Sequence, residues 1–322
     1  MQFHDGLDVR HVGRPDDLLG SRVASDLRIV DPHVHLWDLA RARYGWLQDD
    51  PLPNNPAGDM SSIAHRNYLL KDYLTDAAPW RIDKIVHVEA GQPTGRQLGE
   101  TDWLQAMADD YGYPQGIVAG ADLLDPGLDD LLEAHAARPN VRGIRQIVCW
   151  HADPVKTYTD RNLLQNPSWE AGLAKLAKHG LSFDLQLYPT QMATAAAIAE
   201  RHPDIPLIVN HAGLPTDRDD AGMEIWGEGL RLLAAQPHIS IKISSLGITD
   251  RNWSVDSVRP IILECIEAFG TERAMFASDF PVDRAHGTFD AVYSAFDSVT
   301  ADFSATERDR LFASNAEAIY RI

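Results

Sequence analysis

Two histidines spaced two residues apart, one histidine in mid-chain and one aspartate near the end are the side chains best placed to do chemistry together. They are His33 and His35 in "RIVDPHVHLWD", His211 in "PLIVNHAG" and Asp279 in "AMFASDFPV". Each lies at the C-terminal end of an apolar run of the kind that forms a strand buried on both faces. On an extended strand, side chains two apart point to the same side, so both imidazoles can meet one ion or one substrate carbonyl. Imidazole can ligate a metal, polarise a carbonyl or position a water. A carboxylate beside it, with a reference pKa near ~4, can serve as general base for that water. The plain alternatives are histidines hydrogen-bonded in a core and an aspartate capping the next segment.

Other strand-end residues extend this set. Arg145 in "GIRQIV" shares its side of the strand with Gly143 and is expected to face inward. A buried guanidinium needs an anionic partner: a substrate carboxylate, a lactone oxygen or a structural acid such as Glu89. Glu89 and Asp122 are candidates to orient His33 or His35. Tyr188, Trp150 and His151 read as substrate-binding walls. Trp37 and Trp46 are candidates to close the cleft, Asp283 reads as a surface or turn residue, and Lys242 is ambiguous between interior and outer shell.

Something must bring these distant residues together. Eight candidate strands are Leu27–His33, Asp83–Glu89, Gln115–Asp122, Val141–Val148, Ser182–Tyr188, Pro206–Asn210, Ile239–Ser244 and Ala274–Ser278. Helical patterns separate most of them. "GLDDLLEAHAARP" puts Leu128, Leu131, Leu132 and His135 on one stripe, and "PSWEAGLAKLAKHG" ends at Gly180, a natural left-handed cap. "TQMATAAAIAERHP", "VRPIILECIEAFG" and the C-terminal stretch follow, the last opening on Ser304 and Glu307 at capping-box spacing. Alternating strands and helices in 322 residues indicate an α/β protein of the (β/α)8 TIM-barrel class, which gathers its strand ends into one mouth. The doubly wound open sheet is the alternative, but no Gly-rich dinucleotide loop follows the first strand. Residues 1–26 carry no periodicity and read as an N-terminal arm, leaving 27–322 as a single barrel domain. Residues 36–81 are long for a βα loop and are expected to fold over the cleft.

The bulk composition is that of a globular protein, 44% apolar and 24% charged. A net charge of -18 speaks against nucleic acid or an anionic membrane as partner. No stretch reaches the roughly 20 apolar residues of a spanning helix, and no secretory leader is evident. Two cysteines, Cys149 and Cys265, fit a reducing compartment, so a cytoplasmic location is expected. A homo-oligomer is compatible with this composition.

No HEXXH, paired CxxC, P-loop or GxSxG elbow is present. Strand four, "GIRQIVCW", offers no Lys or Glu to bridge two metals. The donor set therefore suits at most one divalent ion, Zn2+ by type, on His33, His35 and Asp279 with help from His211. The other option is a metal-free site in which the histidines hold a carbonyl and Asp279 activates water.

The stretches "IVDPHVHLWD", "YGWL", "VHVEAG", "VRGIRQ", "NHAG", "SDFPV" and "SNAEAIYRI" occur in that order over nearly the whole chain after the arm. In them the chain resembles the amidohydrolase superfamily, and within it the amidohydrolase-2 group of sugar-acid lactonases and 2-pyrone-4,6-dicarboxylate lactonase. One departure is "SDFP" where that group usually has SDWP. The resemblance implies a distorted barrel, hydrolysis of a small lactone, and His33, His35, His211 and Asp279 as the core site. It implies that Asp279 activates water, and it fits either a zinc-loaded or a metal-free site. The group lies near metal-dependent decarboxylases of aromatic acids, which gives the second reading. A barrel that binds a small ligand without turnover is the third.

Overall fold

The computed structural model describes residues 27–322. Among them, eight parallel strands form one sheet in sequence order: β1 Arg28–Val34, β2 Arg81–Val88, β3 Gly116–Gly120, β4 Val141–Arg145, β5 Ser182–Leu185, β6 Leu207–Val209, β7 Ile239–Ile243 and β8 Ala274–Phe276. The sheet curls until β8 meets β1. Val34 bridges Phe280 in parallel, His35 N–H donates to Phe280 O at 2.8 Å, and Asp279 N–H donates to His33 O at 2.9 Å. This is the expected (β/α)8 barrel. The expected arm lies outside the described residues.

A helix follows each strand: α1 Leu70–Asp76, α2 Gln97–Tyr111, α3 Leu128–Ala136, α4 Pro167–Ala174, α5 Met192–Arg201, α6 Asp220–Ala234, α7 Val255–Phe269 and α8 Phe289–Val299. The C-terminal stretch adds α9 Ala305–Asp309 and α10 Asn315–Tyr320, joined by a π-helical turn. The expected caps are in place. Ser304 and Glu307 form the capping box of α9, and Gly180 takes φ 61° where the helical segment after α4 ends. On α3, Leu128, Leu132 and His135 are buried, as the stripe requires.

Strand parity sorts the side chains. On β7, Ile239, Ile241 and Ile243 pack outward against the helices, while Lys242 points into the barrel, fully buried. Its ambiguity is thereby resolved toward the interior. On β4, Ile144 faces the helices and Arg145 faces inward. Inside the lower barrel Val30, Val86, Val118, Ile208 and Met275 form a second core, sealed from below by Ala316 and Tyr320 of α10. Burying each such apolar side chain stabilises by about 1.5–3 kcal/mol. This floor leaves the upper barrel free for polar residues.

The strands are shorter at their C-terminal ends than the apolar runs suggest; β4 stops at Arg145 and β5 at Leu185. The chain bends there because the ladder yields to side chains that line the mouth. Segment 36–81 holds more order than a loop: a helical turn at Gly45–Gln48 and all of α1. Its neck is pinned by paired backbone bonds between Trp37 and Tyr68.

Two glycines test this packing. A Cβ on Gly172 of α4 would sit 2.2 Å from the Leu123 carbonyl oxygen, whereas one on Gly99 of α2 meets nothing within 4 Å. Gly172→Ala is expected to destabilise by about 1–3 kcal/mol through overpacking. Gly99→Ala is expected to stabilise by about 0.5–1 kcal/mol through chain entropy. Thermal denaturation of both variants checks the opposite signs.

Candidate active site

Closure of β8 on β1 brings the first histidine pair against the last aspartate. His35 Nε2 lies 3.1 Å and His33 Nε2 3.4 Å from Asp279 Oδ1. The His33 ring is 4.7 Å from His211 and 5.0 Å from His35, centroid to centroid. All four residues are at least nine-tenths buried. Asp31 holds the seam beneath them: its Oδ1 accepts the N–H groups of His33 and Ser278, and Oδ2 accepts Tyr73 Oη–H. Burial pushes its carboxyl up to about 6.

Three strand ends turn through left-handed backbone without glycine. His211 after β6, Ser245 after β7 and Asp279 after β8 have φ of 56°, 53° and 57°. Each such residue costs of order 1–3 kcal/mol, and such strain concentrates at functional sites. Ser245 Oγ–H donates to Asp279 Oδ2, and His211 Nδ1 lies 3.0 Å from Ser244 Oγ.

Burial disfavours imidazolium, so His211 is lowered to about 4 and His33 lies well below its ordinary range. Burial alone would push the Asp279 carboxyl up. His211, His35 and the Ser245 hydroxyl outweigh that and hold it down to about 2, so it is a carboxylate at neutral pH.

His35 shows what the cluster can hold. Its Nδ1 lies 2.8 Å from the Val88 carbonyl oxygen, which only accepts, so Nδ1 carries a proton. A neutral ring then presents a lone pair at Nε2 to the carboxylate oxygen 3.1 Å away. Two acceptors so close require a proton or a cation between them. Ligand atoms of His33, His35 and Asp279 all lie within 4.8 Å of one another, so the set is consistent with one divalent ion.

His35, His211 and Asp279 form one wall of a cavity of about 280 Å³ that Arg145, Glu89, Gln186 and Trp46 also line, with His33 behind them. Of Arg145's expected partners, the fold supplies Glu89. Arg145 Nε–H donates to Glu89 Oε1 at 2.7 Å and an Nη2 hydrogen to the Glu89 carbonyl at 2.7 Å. Its Nη1 reaches Gln186 Oε1 at 3.3 Å. Asn54, Asn55, Pro56 and Ala57 line the same cavity, so the 36–81 segment reaches the cleft. Trp46 Nε1–H donates to the Ala90 carbonyl. Trp37 is fully buried behind Trp46, edge-on, and does not line the cavity.

Other expected placements differ. Glu89 and Asp122 do not orient the histidines. Glu89 binds Arg145, and Asp122 accepts the Leu124 N–H and Gln146 Nε2–H. The Val88 carbonyl orients His35, and Lys242 Nζ lies 3.3 Å from His33 Nδ1. Tyr188 and His151 line a separate, smaller cavity, because the chain after β4 turns away and Tyr188 Oη–H is tied to the Lys156 carbonyl. Trp150 lines neither cavity; Thr157 and Tyr158 of the same loop stand at the main one. Asp283 is buried in a 3-10 turn rather than at the surface, and burial pushes its carboxyl well above the usual range. Ser245 and Gln186 were missed. Both stand at the ends of strands, Gln186 directly after β5 and Ser245 two residues after β7.

A parallel barrel whose β1, β6 and β8 ends present HxH, His and Asp defines the amidohydrolase class. The amidohydrolase family profile matches residues 30–322, and the chain belongs to that family. It is 43% identical over 299 residues to an uncharacterised protein, y4mH, of Sinorhizobium fredii, covering 92% of this chain and all of that one. It is 28% identical over 310 residues to an L-fucono-1,5-lactonase of Burkholderia multivorans, covering 91% and 96%. A crystal structure of an amidohydrolase from Burkholderia multivorans with bound zinc superposes with a TM-score of 0.75 at 26% identity, over 91% of this chain and 99% of that one. A 5-carboxyvanillate decarboxylase from Sphingomonas paucimobilis shares the fold alone, with a TM-score of 0.63 at 13% identity over 92% and 99%. Among the described residues no helix is long and apolar enough to cross a membrane.

The lowered histidines give stability a pH sign. Because the fold favours neutral His211, its contribution is complete above the free-histidine range near 6.5 and is lost as pH falls toward about 4. Asp279, held at about 2, loses its contribution only below the ordinary carboxylate range near 3.8. The unfolding temperature is expected to carry this decline between pH 6.5 and 4, opposed in part by Asp31, whose carboxyl is raised to about 6. His211→Asn, which tolerates left-handed backbone, should flatten that decline. Chelator-treated melts at pH 7 and 4.5 check it; an equal decline in the variant refutes it.

Proposed function

We propose that this chain is a lactonase that opens a neutral, hydroxyl-rich sugar lactone by water attack on the ring carbonyl. The observation that carries the reading is the convergence of His33 and His35 on one oxygen of Asp279 at the wall of the cavity. The 28% identity to an L-fucono-1,5-lactonase supports it.

In this reading Asp279 takes a proton from water, since it is ionised and faces the cavity. The water adds to the carbonyl carbon. His211 lines the cavity beside Asp279 and is placed to stabilise the developing oxyanion, while His33 and His35 orient Asp279 or hold an ion. Asp279, now protonated, returns its proton to the leaving ring oxygen, which departs as a hydroxyl. Arg145 holds Gln186 and Glu89 in place. A divalent ion on His33, His35 and Asp279, zinc by donor type, would add Lewis-acid polarisation of the carbonyl.

The charge of the cavity selects among lactones. Among its described lining residues the carboxylates are Glu89 and Asp279 and the one guanidinium or ammonium is Arg145. Glu89 already occupies Arg145's Nε and Nη2. Little cationic capacity remains for a substrate carboxylate, so Arg145 is not an anchor for one here. Asn54, Asn55, Thr157 and Gln186 offer amides and a hydroxyl that suit sugar hydroxyls, and Trp46 and Tyr158 offer rings.

A pH-indicator screen of neutral aldonolactones, a dicarboxylated pyrone lactone and aromatic acids, with and without chelator, tests this reading. Acid release from a neutral lactone is expected. Carbon dioxide release from an aromatic acid without lactone turnover would replace this reading with the decarboxylase one. Asp279→Asn keeps the left-handed backbone that Asn tolerates and should lower kcat about 10²–10⁴-fold with the fold retained by circular dichroism. Near-wild-type turnover in that variant would end the assignment.

A further inference from the structure

The mouth of the barrel holds a second cavity, and the reaction above leaves it unused. We infer that it is a subsite for a second sugar unit, so that the preferred substrate is a glycosylated lactone. Its lactone ring sits at Asp279 and its other ring lies beyond Arg145. This rests on the lactonase reading and extends its substrate class.

The second cavity, of about 240 Å³, borders the ends of β2, β3 and β4. It shares Glu89, Gly91, Arg145 and Ile147 with the cavity of about 280 Å³ at Asp279. The two therefore adjoin across the Glu89–Arg145 pair. Gly91 adopts φ 89° at this junction, where a Cβ would stand 3.3 Å from Trp46 Nε1. Its bare backbone keeps side-chain atoms out of the passage. The cavities are alike in size, so the second suits a ring rather than a short chain.

The lining sets the chemistry. Apart from Ala121 and Ile147, the side chains that face the second cavity are polar, so an apolar group gains little there. Glu89 occupies Arg145's Nε and Nη2. The other charged side chain is the carboxylate of Asp122, which disfavours an anion. The remaining hydrogen-bonding capacity is mixed. Gln97 is 5% exposed, and its Oε1 accepts the Gly95 N–H at 2.8 Å. That bond fixes the amide and leaves Nε2 a donor with no partner among the described residues. A buried donor left unpaired is costly, and a ligand oxygen removes that cost. Asp122 Oδ1 accepts the Leu124 N–H and Gln146 Nε2–H, which leaves Oδ2 as an acceptor. Thr94 adds a hydroxyl. Sugar hydroxyls donate and accept at once and match this set. The far wall is set before a ligand arrives, because Gln146 Oε1 takes the Leu123 N–H at 3.1 Å and Trp169 Nε1–H at 2.9 Å.

Steady-state kinetics on matched lactones test this. The probes are glucono-1,5-lactone and the lactones of cellobionic, maltobionic and lactobionic acids, which carry a second sugar on the same parent. At least one glycosylated lactone should exceed the parent in kcat/KM by about 10-fold or more, mainly through KM, as a few added hydrogen bonds provide. Thr94 is exposed, so Thr94→Trp fills the compartment from its rim. That variant should abolish the preference while turnover of the parent stays near wild type and reports the fold. Gln97→Glu keeps the acceptor for Gly95 and places an acid where the first turn of α2 favours one, but it removes the donor. It should lower kcat/KM for the glycosylated lactone about 3–10-fold and leave the parent unchanged. Equal kcat/KM for the parent and every glycosylated lactone overturns the inference, as does a preference that Thr94→Trp retains. If none of these lactones is turned over, calorimetric titration of cellobiose, maltose and lactose decides on the subsite. Binding that Thr94→Trp abolishes upholds it; no binding, or binding that the variant keeps, overturns it. The lactonase reading is then judged by its own screen.

Discussion

The site depends on the seam where β8 closes on β1. Two backbone hydrogen bonds, Asp279 N–H to the His33 carbonyl and His35 N–H to the Phe280 carbonyl, fix the register of the opening strand against the end of the last one. Side-chain direction in a strand has period two, so a slip of one residue would turn both imidazoles away from the carboxylate. Asp31 reinforces the register by taking the N–H groups of His33 and Ser278 on one oxygen. The ladder of β1 shifts register between Asp31 and Val34, where Pro32 has no N–H to give. That irregularity lets Asp31 serve the seam while His33 and His35 face the mouth. In the sequence "DPHVH" the first residue thus holds the seam, and the third and fifth reach the candidate site.

The same economy shows in the strained backbone. His211, Ser245 and Asp279 adopt left-handed φ and sit together around one carboxylate. Hydrogen bonds from Ser245 to Asp279 and from Trp226 to the Ala212 carbonyl help hold this conformation. The apolar layer between strands and helices and the plugged lower barrel supply the stability that offsets it. Left-handed backbone also occurs at His65 and Arg321, but three such residues stand at adjacent strand ends, while the opposite end of the barrel is filled with Val, Ile and Met.

Much of this was legible in the sequence, for identifiable reasons. The eight apolar runs were long enough to be read as buried strands, and barrel topology then forced His33, His35, His211 and Asp279 together. Arg145 was placed inward by parity alone. What could not be read depends on where the chain leaves the strand. Tyr188 and His151 lie just beyond strand ends, yet the chain turns there and seats them on a neighbouring cavity. Asp283 looked like a turn residue because it follows "DFPV", and burial beneath the site leaves no trace in such a pattern. The helix Leu70–Asp76 is too short to outweigh the Pro- and Asn-rich stretch before it. Lys242 was ambiguous because "SIKISS" alternates without revealing which face is inside. Only β7's three outward isoleucines settle that.

The interior charges have a pattern with a functional consequence. Two buried acids meet buried cations: Asp184 meets Lys242, and Glu89 meets Arg145. This is the condition under which charges survive in a medium of low polarisability. Asp279 differs. It meets imidazoles and a hydroxyl rather than a fixed ammonium or guanidinium, so its charge is stabilised but still available to a proton. In the proposed lactonase reaction, ring opening of a neutral lactone would create a carboxylate product beside that restored carboxylate. The Coulomb term is thus small when substrate enters and repulsive once product has formed, in a chain whose net charge of -18 adds to the same sign. The cations paired inside the barrel are also withheld from such a product, so the arrangement that allows burial of charge would favour release of the acid that the proposed reaction makes.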